Sequence, residues 1–458
     1  MTRRSFLAAA GTLAGCSTSH PAEEPTPRPN ILFILADDLG YGHLGCYGQT
    51  KIRTPRIDQL AEQGMRFTSA YAGCTVCAPS RSALLTGLHT GHTPVRGNSG
   101  GLPLPAEAVT FAEVLQQAGY ATGCFGKWGL GDADSEGHPS RQGFDEFLGP
   151  LHQIHAQFYW PEFLWRNEEP VRFPENADNG KGSYAPDVLL EGALDFMRRK
   201  RDGPFLLYFP SLVPHHEYQV PEEDLAEYDG QFPEPAPFIR EDRGFEVQHK
   251  PAATTAAMIT RFDRDVGRLL DELDSLGIAD NTLVLFTSDN GAAGSFEPIV
   301  TPFNPSGPLR NYKGSLYEGG IRVPAIARFP GVVEPGSQSD YPWTFWDLFP
   351  TFAELAEAEA PSTLDGKSIV PVLHGETSSP PEFLYWEAGG KQAVRTGDWK
   401  AVRPAPDAPL ELYDLSSDLG ETANLAAAQA GVVELIEEYL STARRDPPEL
   451  PESGWIRP

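Results

Sequence analysis

Ile31-Leu32-Phe33-Ile34-Leu35-Ala36, followed at once by Asp37-Asp38, is the stretch on which the fold turns. A short apolar run ending in polar residues suits a strand covered on both faces, and Ala121 to Phe125, Phe205 to Phe209 and Thr282 to Thr287 are runs of the same kind. Helical patterns lie between them. This alternation predicts an α/β fold: a large central sheet, mixed but mostly parallel, sandwiched by helices. Several helices have readable ends. Thr54-Pro55 supplies an N-cap and a first-turn proline for one that Gly64 closes, and Thr110 with Glu113 forms a capping box for another that stops at Gly119. A long amphipathic pattern runs from Thr254 to Leu276, and the Pro-rich stretch from Phe232 to Phe238 reads as a mobile insertion.

The character of the chain changes after about Leu373. Thr377-Ser378-Ser379-Pro380-Pro381 reads as a connection, and the pieces Phe383 to Trp386, Gln392 to Arg395, Trp399 to Val402 and Leu410 to Tyr413 suggest an antiparallel meander with a helix from Gly431 to Ala443 packed on it. The reading is a main domain over 29–376 and a smaller C-terminal α+β domain, with an antiparallel sheet, over 377–458.

The composition excludes several classes. The 36 Lys+Arg against 63 Asp+Glu give a net charge of −27, which argues against a nucleic-acid binder that grips phosphates through a basic face. Hydrophobic residues at 40% and charged residues at 22% are close to the globular average and argue against wholesale disorder, collagen-like repeats and a polytopic membrane protein. Five cysteines are too few to staple 458 residues, so each needs its own explanation.

Residues 1–15 read as an address. Arg3-Arg4 precedes an uncharged stretch too short to span a bilayer, Thr2-Arg3-Arg4-Ser5-Phe6-Leu7 resembles a twin-arginine signal, and Leu13-Ala14-Gly15-Cys16 resembles a lipobox whose Cys16 becomes a lipidated first residue. Residues 16–28 would then be a flexible tether. The expectation is an exported, periplasmic or cell-envelope lipoprotein that meets the membrane through its lipid anchor only.

In open α/β sheets ligands gather beyond the carboxyl ends of the strands. The four runs end in Asp37-Asp38, in Lys127 after Gly126, in Pro214-His215-His216, and in Asp289-Asn290-Gly291. Singly each of these is an ordinary turn or cap. Together they supply hard oxygen ligands for Ca²⁺ or Mg²⁺, with Lys and His to meet an anion beside the metal. A further element is Cys74-Thr75-Val76-Cys77-Ala78-Pro79-Ser80-Arg81, where Pro79 suits the first turn of a helix that Gly87 ends. Cys77 then sits at the positive helix end, which favours an anion or an activated nucleophile, and Arg81 is one turn on. A Cys-X-X-Cys redox or zinc half-site is the competing reading, but no second pair or spaced histidine accompanies it for zinc, and the usual fold context of a thioredoxin-like site is lacking.

Cys77-Ala78-Pro79-Ser80-Arg81 with Leu85-Thr86-Gly87 resembles the signature of the type I, formylglycine-dependent sulfatases. The resemblance covers nearly the whole chain after residue 29 and includes Ala36-Asp37-Asp38-Leu39-Gly40, Gly126-Lys127-Trp128, Pro214-His215, Ser288-Asp289-Asn290-Gly291, Lys313 and Tyr317-Glu318-Gly319-Gly320. It implies an alkaline phosphatase-like fold and a hydrolase of sulfate monoesters. It implies further that a maturation enzyme oxidises Cys77 to Cα-formylglycine, whose hydrated aldehyde attacks sulfur with one hydroxyl and expels sulfate through the other. By the same resemblance Asp37, Asp38, Asp289 and Asn290, with the modified Cys77, hold Ca²⁺; Arg81, Lys127 and Lys313 stabilise negative charge; and His215, protonated beside sulfate, is the general acid. One position departs: the family often has His where this chain has Gly129, so water, His152 or His155 is expected to serve in its place.

The aromatic region Leu151 to Asn167, which carries His152 and His155, suits stacking on sugar rings, with core packing as the alternative. Phe296 to Arg310 is a second candidate rim, with Arg310 a candidate substrate contact, and Arg322 reads as structural. Sulfated carbohydrate is the expected substrate. The rival readings are a phosphate- or phosphonate-ester hydrolase of the same superfamily and a non-catalytic lipoprotein that binds sulfated glycans.

Overall fold

The computed structural model describes residues 28–239, 245–294 and 302–451. Cys16, the address segment and the tether up to residue 27 lie outside the described residues, as does part of the rim between Phe296 and Arg310.

Sixteen strands are present among the described residues. In chain order they are β1 (Asn30–Ala36), β2 (Met65–Phe67), β3 (Ala70–Tyr71), β4 (Ala121–Phe125), β5 (Glu146–Gly149), β6 (Phe163–Arg166), β7 (Glu169–Arg172), β8 (Phe205–Pro210), β9 (Thr282–Ser288), β10 (Ala325–Arg328), β11 (Ser337–Ser339), β12 (Trp343–Thr344), β13 (Leu384–Ala388), β14 (Lys391–Thr396), β15 (Trp399–Arg403) and β16 (Glu411–Asp414). The helices are α1 (Pro55–Glu62), α2 (Cys77–Thr86), α3 (Phe111–Gln117), α4 (Ala185–Lys200), α5 (Glu222–Leu225), α6 (Pro251–Ser275), α7 (Glu318–Ile321), α8 (Leu348–Leu355), α9 (Val370–Leu373) and α10 (Ala430–Leu440).

The main sheet has ten strands in the order β11-β2-β10-β9-β1-β8-β4-β5-β6-β7. The strands expected from sequence are its contiguous centre, β9-β1-β8-β4, and all three pairings there are parallel. Antiparallel pairing enters at β10 on one side and at β6 and β7 on the other. The apolar run of β1 is explained by its place: Leu32 and Ile34 pack in one core layer with α4 and α6, and Ile31, Phe33 and Leu35 in another with α3 and α8. A strand between two helical layers has no face that tolerates a polar side chain.

The capping box at Thr110 and Glu113 forms as expected. Thr54 makes no side-chain cap on α1; the carboxylate of Asp263, from α6, accepts the N–H groups of Arg56 and Ile57 instead. The segment expected to be a mobile insertion is fastened: Phe232 packs edge-on against Phe303, Phe238 is buried, and Glu234 accepts the N–H groups of Ala252 and Ala253 at the start of α6.

The C-terminal meander is a four-stranded antiparallel sheet, β13-β14-β15-β16, with α10 against one face. Its other face meets Tyr71, Ala83, Tyr317 and Trp346 of the main domain in a separate apolar cluster. No helix among the described residues is long and apolar enough to cross a membrane.

Candidate active site

The sheet register builds the site. Ala36 of β1 pairs with Ser288 of β9, so Asp37-Asp38 and Asp289-Asn290 leave the sheet side by side. The N–H of Asp289 donates to Ala36 and that of Asp37 to Val213, which fastens both loops at the strand ends. Asp38 has φ 66, a left-handed conformation uncommon for a residue with a side chain. It is held there by its N–H on Asp289 Oδ1 at 3.1 Å and by Asn290 Nδ2 and Lys313 Nζ on its carboxylate, each at 2.7 Å. Lys127 arrives from β4 through Gly126, whose φ is 148 and where a Cβ would lie 1.9 Å from Pro210 O; only glycine fits that turn. Cys77 is the first residue of α2, a helix buried along its whole length.

These elements converge on one point. Cys77 Sγ lies 3.6 Å from Asp37 Oδ1, 4.0 Å from Asp38 Oδ1 and 3.3 Å from Lys313 Nζ. Lys127 Nζ donates to Asp37 Oδ2 at 2.7 Å, and His215 Nε2 lies 3.5 Å from Asp38 Oδ2. Ligating atoms of Asp37, Asp38, Cys77 and His215 all fall within 4.8 Å of one another. Asn290 Oδ1 is buried and accepts no hydrogen bond among the described residues. A buried amide oxygen without a donor, set among carboxylates, suits a hard cation such as Ca²⁺.

Burial pushes the Cys77 thiol up to about 12, although Lys127 and Lys313 pull the other way. A bare thiolate nucleophile, one sequence reading of the helix end, is therefore disfavoured: desolvation outweighs the neighbouring ammonium groups. Burial also opposes charge on Lys127 and Lys313, but Asp37 and Asp38 outweigh it and keep both ammonium groups charged. His215 is driven well below the ordinary histidine range, first by burial and then by His216, Lys313 and Lys127. Its Nδ1 hydrogen-bonds to His216 O, which fixes the ring with Nε2 facing the site.

The structure brings Cys77, Asp37, Asp38, Lys127, His215, Asp289, Asn290 and Lys313 together. Arg81, expected to clamp an anion, is wholly buried and already engaged: Nε and Nη2 grip Asp289 Oδ2 and Nη1 donates to Lys127 O. Three other candidates turn elsewhere. His155 Nε2 bonds Phe163 O and its ring lies on Phe163; Arg310 donates to Glu421 O and Tyr413 OH and covers the Tyr317 ring at 3.8 Å. His152 accepts the Ile154 N–H and backs onto Gly100. The space at Gly129 is taken by Gln153, whose Nε2 would lie 2.3 Å from a Cβ there.

Of the aromatics in 151–167, Tyr159 and Trp165 are core, while Phe158, Trp160 and Phe163, with His155, line a cavity of about 350 Å³ alongside Lys181 and Glu217. Tyr159 OH bonds the carbonyls of Leu212 and His215 and so fixes the histidine loop, a role sequence reading missed because the ring read as sugar-stacking. Asn98 Oδ1, which accepts the Ala78 N–H at the start of α2, and Ser80 Oγ, which donates to Asp289 O, were missed too; only Ser80 lay in a motif. Cys74 faces Glu387 O of the C-terminal sheet, which removes the zinc half-site, and Cys46, Cys74 and Cys124 are free thiols.

A sequence model described as "Sulfatase" matches residues 29–358, and one described as "N-sulphoglucosamine sulphohydrolase, C-terminal" matches 311–446. The chain belongs to the sulfatase family. As a type I sulfatase of the alkaline phosphatase superfamily it is a sulfuric ester hydrolase. It is 36% identical to human arylsulfatase A, over 88% of this chain and 84% of that one. It is 30% identical to the N-acetylgalactosamine-6-O-sulfatase of Bacteroides thetaiotaomicron, over 94% and 96%. Among solved structures, Ps i-CgsB in complex with k-i-k-neocarrahexaose superposes with a TM-score of 0.76 at 29% identity, over 92% of this sulfatase and 94% of that chain. The phosphonate monoester hydrolase of Agrobacterium radiobacter shares the fold, at a TM-score of 0.67 and 21% identity over 91% and 95%.

Proposed function

We propose that this sulfatase hydrolyses sulfate monoesters on carbohydrate, with Cys77 converted to Cα-formylglycine and Ca²⁺ held by Asp37, Asp38, Asp289 and Asn290. The observation that carries it is the convergence on Cys77 Sγ of Asp37, Asp38 and Lys313, all within 4.0 Å, beside the donorless Asn290 Oδ1. The carbohydrate part rests on relatives named for sulfated sugars, the N-acetylgalactosamine-6-O-sulfatase among them. When present, the ion would neutralise a sulfate oxygen and the hydrated aldehyde would supply a hydroxyl nucleophile.

The chain's own residues do the rest. Lys127 and Lys313 direct N–H donors at sulfate oxygens, in a buried setting where charge-assisted hydrogen bonds are strong. Arg81 fixes the Asp289 carboxylate and, through Lys127 O, the loop that carries Lys127. His215, oriented by its Nδ1–H on His216 O and by Tyr159 on its own carbonyl, presents Nε2 to the leaving oxygen. A sulfate anion at Nε2 offsets the neighbouring ammonium groups and favours the proton that Nε2 then delivers to the departing alcohol.

Mass spectrometry of the Cys77 peptide tests the reading: the modified residue lacks sulfur, and a protein that turns over aryl sulfates with an intact thiol there ends the formylglycine part. Matched aryl sulfate and aryl phosphate esters test the reaction, and a strong phosphate preference would favour the rival hydrolase. A Cys77→Ala variant with full turnover would overturn the assignment of the nucleophile. Export as a lipoprotein anchored through Cys16 belongs to the same proposal, and a Cys16→Ser variant should leave the membrane fraction.

A further inference from the structure

The segment from Arg310 to Arg322 carries Lys313 near one end and is gripped from two sides. On the nucleophile's side, Gly314 N–H donates to Thr75 O at 2.9 Å and Thr75 Oγ1 to Ser315 O at 2.7 Å, two residues before Cys77. On the other side stands the C-terminal sheet. Lys400, the second residue of β15 and wholly buried, donates from Nζ to Leu316 O at 3.0 Å, to Glu318 Oε1 at 2.9 Å and to Glu421 Oε1 at 3.3 Å. Glu421 Oε2 accepts the Glu318 N–H at 2.7 Å, and Glu421 O accepts Arg310 Nη1 at 2.7 Å. Glu318 Oε2 accepts from Tyr71 OH and from Arg322 Nε, while Arg395 of β14 donates to Tyr71 OH.

Lys400, Arg322 and Arg395 thus face Glu318 and Glu421 in a buried cluster between the two sheets. Apolar side chains would join two surfaces at less cost, because desolvating ions offsets much of their attraction. What an ionic cluster adds is direction: it fixes particular atoms, here the Leu316 carbonyl and the Glu318 amide, within a few residues of Lys313. Lys313 needs that precision, since its ammonium must meet both Asp38 and the Cys77 position.

We propose that Lys400 and Glu421 are positioning residues for Lys313, so that the C-terminal sheet is a working part of the active site. This rests on the role given to Lys313 above. The test uses full-length matured protein carrying Lys400→Met, Lys400→Arg or Arg310→Met, with two readouts. One is hydrogen–deuterium exchange of peptides over 311–318; the other is kcat and KM for 4-nitrophenyl sulfate, corrected for folded fraction. In Lys400→Met, exchange over 311–318 should rise about tenfold while β13 to β16 stay protected, because a lost tether opens the loop locally. kcat should fall about tenfold to a hundredfold with KM little changed, the cost of a misplaced catalytic group. Lys400→Arg should restore most of both.

Folded Lys400→Met with wild-type kcat overturns the proposal, and so does a fall in kcat with 311–318 as protected as before. If Lys400→Met does not fold, Arg310→Met, which removes an outer, partly exposed tether on Glu421, decides by the same two readouts. If the wild-type protein is inactive on the aryl ester, kcat and KM are read on a sulfated oligosaccharide; inactivity on both counts against the proposed function, while the exchange data still decide whether the sheet holds the loop.

Discussion

Asp38 and Gly126 show the site at the scale of single residues. Each takes a backbone conformation that a neighbour enforces, Asp38 with its N–H on Asp289 and Gly126 against Pro210 O. A Gly126→Ala variant should lose on the order of 2–3 kcal/mol in urea unfolding, since a side chain meets both a positive φ and a backbone oxygen. If Ca²⁺ occupies the proposed site, it should raise the melting temperature of the parent and Asn290→Leu should abolish that rise, which calorimetry with and without chelator will show. Equal calcium stabilisation of the two proteins would remove Asn290 from the ligand set. Most of the cluster was legible in the sequence because Asp37, Asp38, Lys127, His215, Asp289 and Asn290 come soon after central strands and Cys77 opens a helix, whereas Lys313 follows no element and was read only from the family resemblance. His155 and Arg310 misled because their partners, Phe163 O and Glu421 O, are fixed by folding and not by local spacing. Gln153 was illegible for the same reason: nothing near it in sequence says that it fills the space at Gly129.

Elements repeat the lesson. The central strands were readable because helices cover both of their faces, whereas β2, β3, β11 and β12, of two or three residues each, carry too little pattern to stand out from loops. The start of α1 was readable from Pro55, but the source of its cap was not. α1 and α6 take theirs from Asp263 and Glu234, and no local motif announces a cap supplied by another element. Asp263→Ala should cost about 1–2 kcal/mol, visible as a lower urea midpoint with unchanged m-value. On the same helix burial pushes Asp265 up to about 7, with Asp187 adding to it and Arg261, Arg268 and Arg264 opposing. A carboxyl raised on folding contributes stability below its unfolded value near 3.8, and that contribution is lost as pH rises through about 7. Asp265→Asn should therefore flatten the fall in unfolding free energy between about pH 4 and 7, and an unchanged pH profile would refute this.

At the scale of the whole molecule, a chain of net charge −27 encloses a centre where Asp37, Asp38 and Asp289 are matched by Arg81, Lys127 and Lys313. The acidic exterior repels a polyanion at long range, and salt removes that repulsion beyond a Debye length of about 10 Å at 0.1 M. KM for a sulfated polysaccharide should fall as ionic strength rises from about 0.01 to 0.15 M, while KM for a small aryl sulfate changes far less; steady-state kinetics on both will tell. The enclosure has another consequence. Cys77 is only 1% exposed, and α2 is covered along all ten of its residues. On the formylglycine reading proposed above, a maturation enzyme would have to reach Cys77 before α2 packs. Modification would then precede folding, and the timing of chain release, as much as the chemistry of the pocket, would set how much active protein a cell obtains.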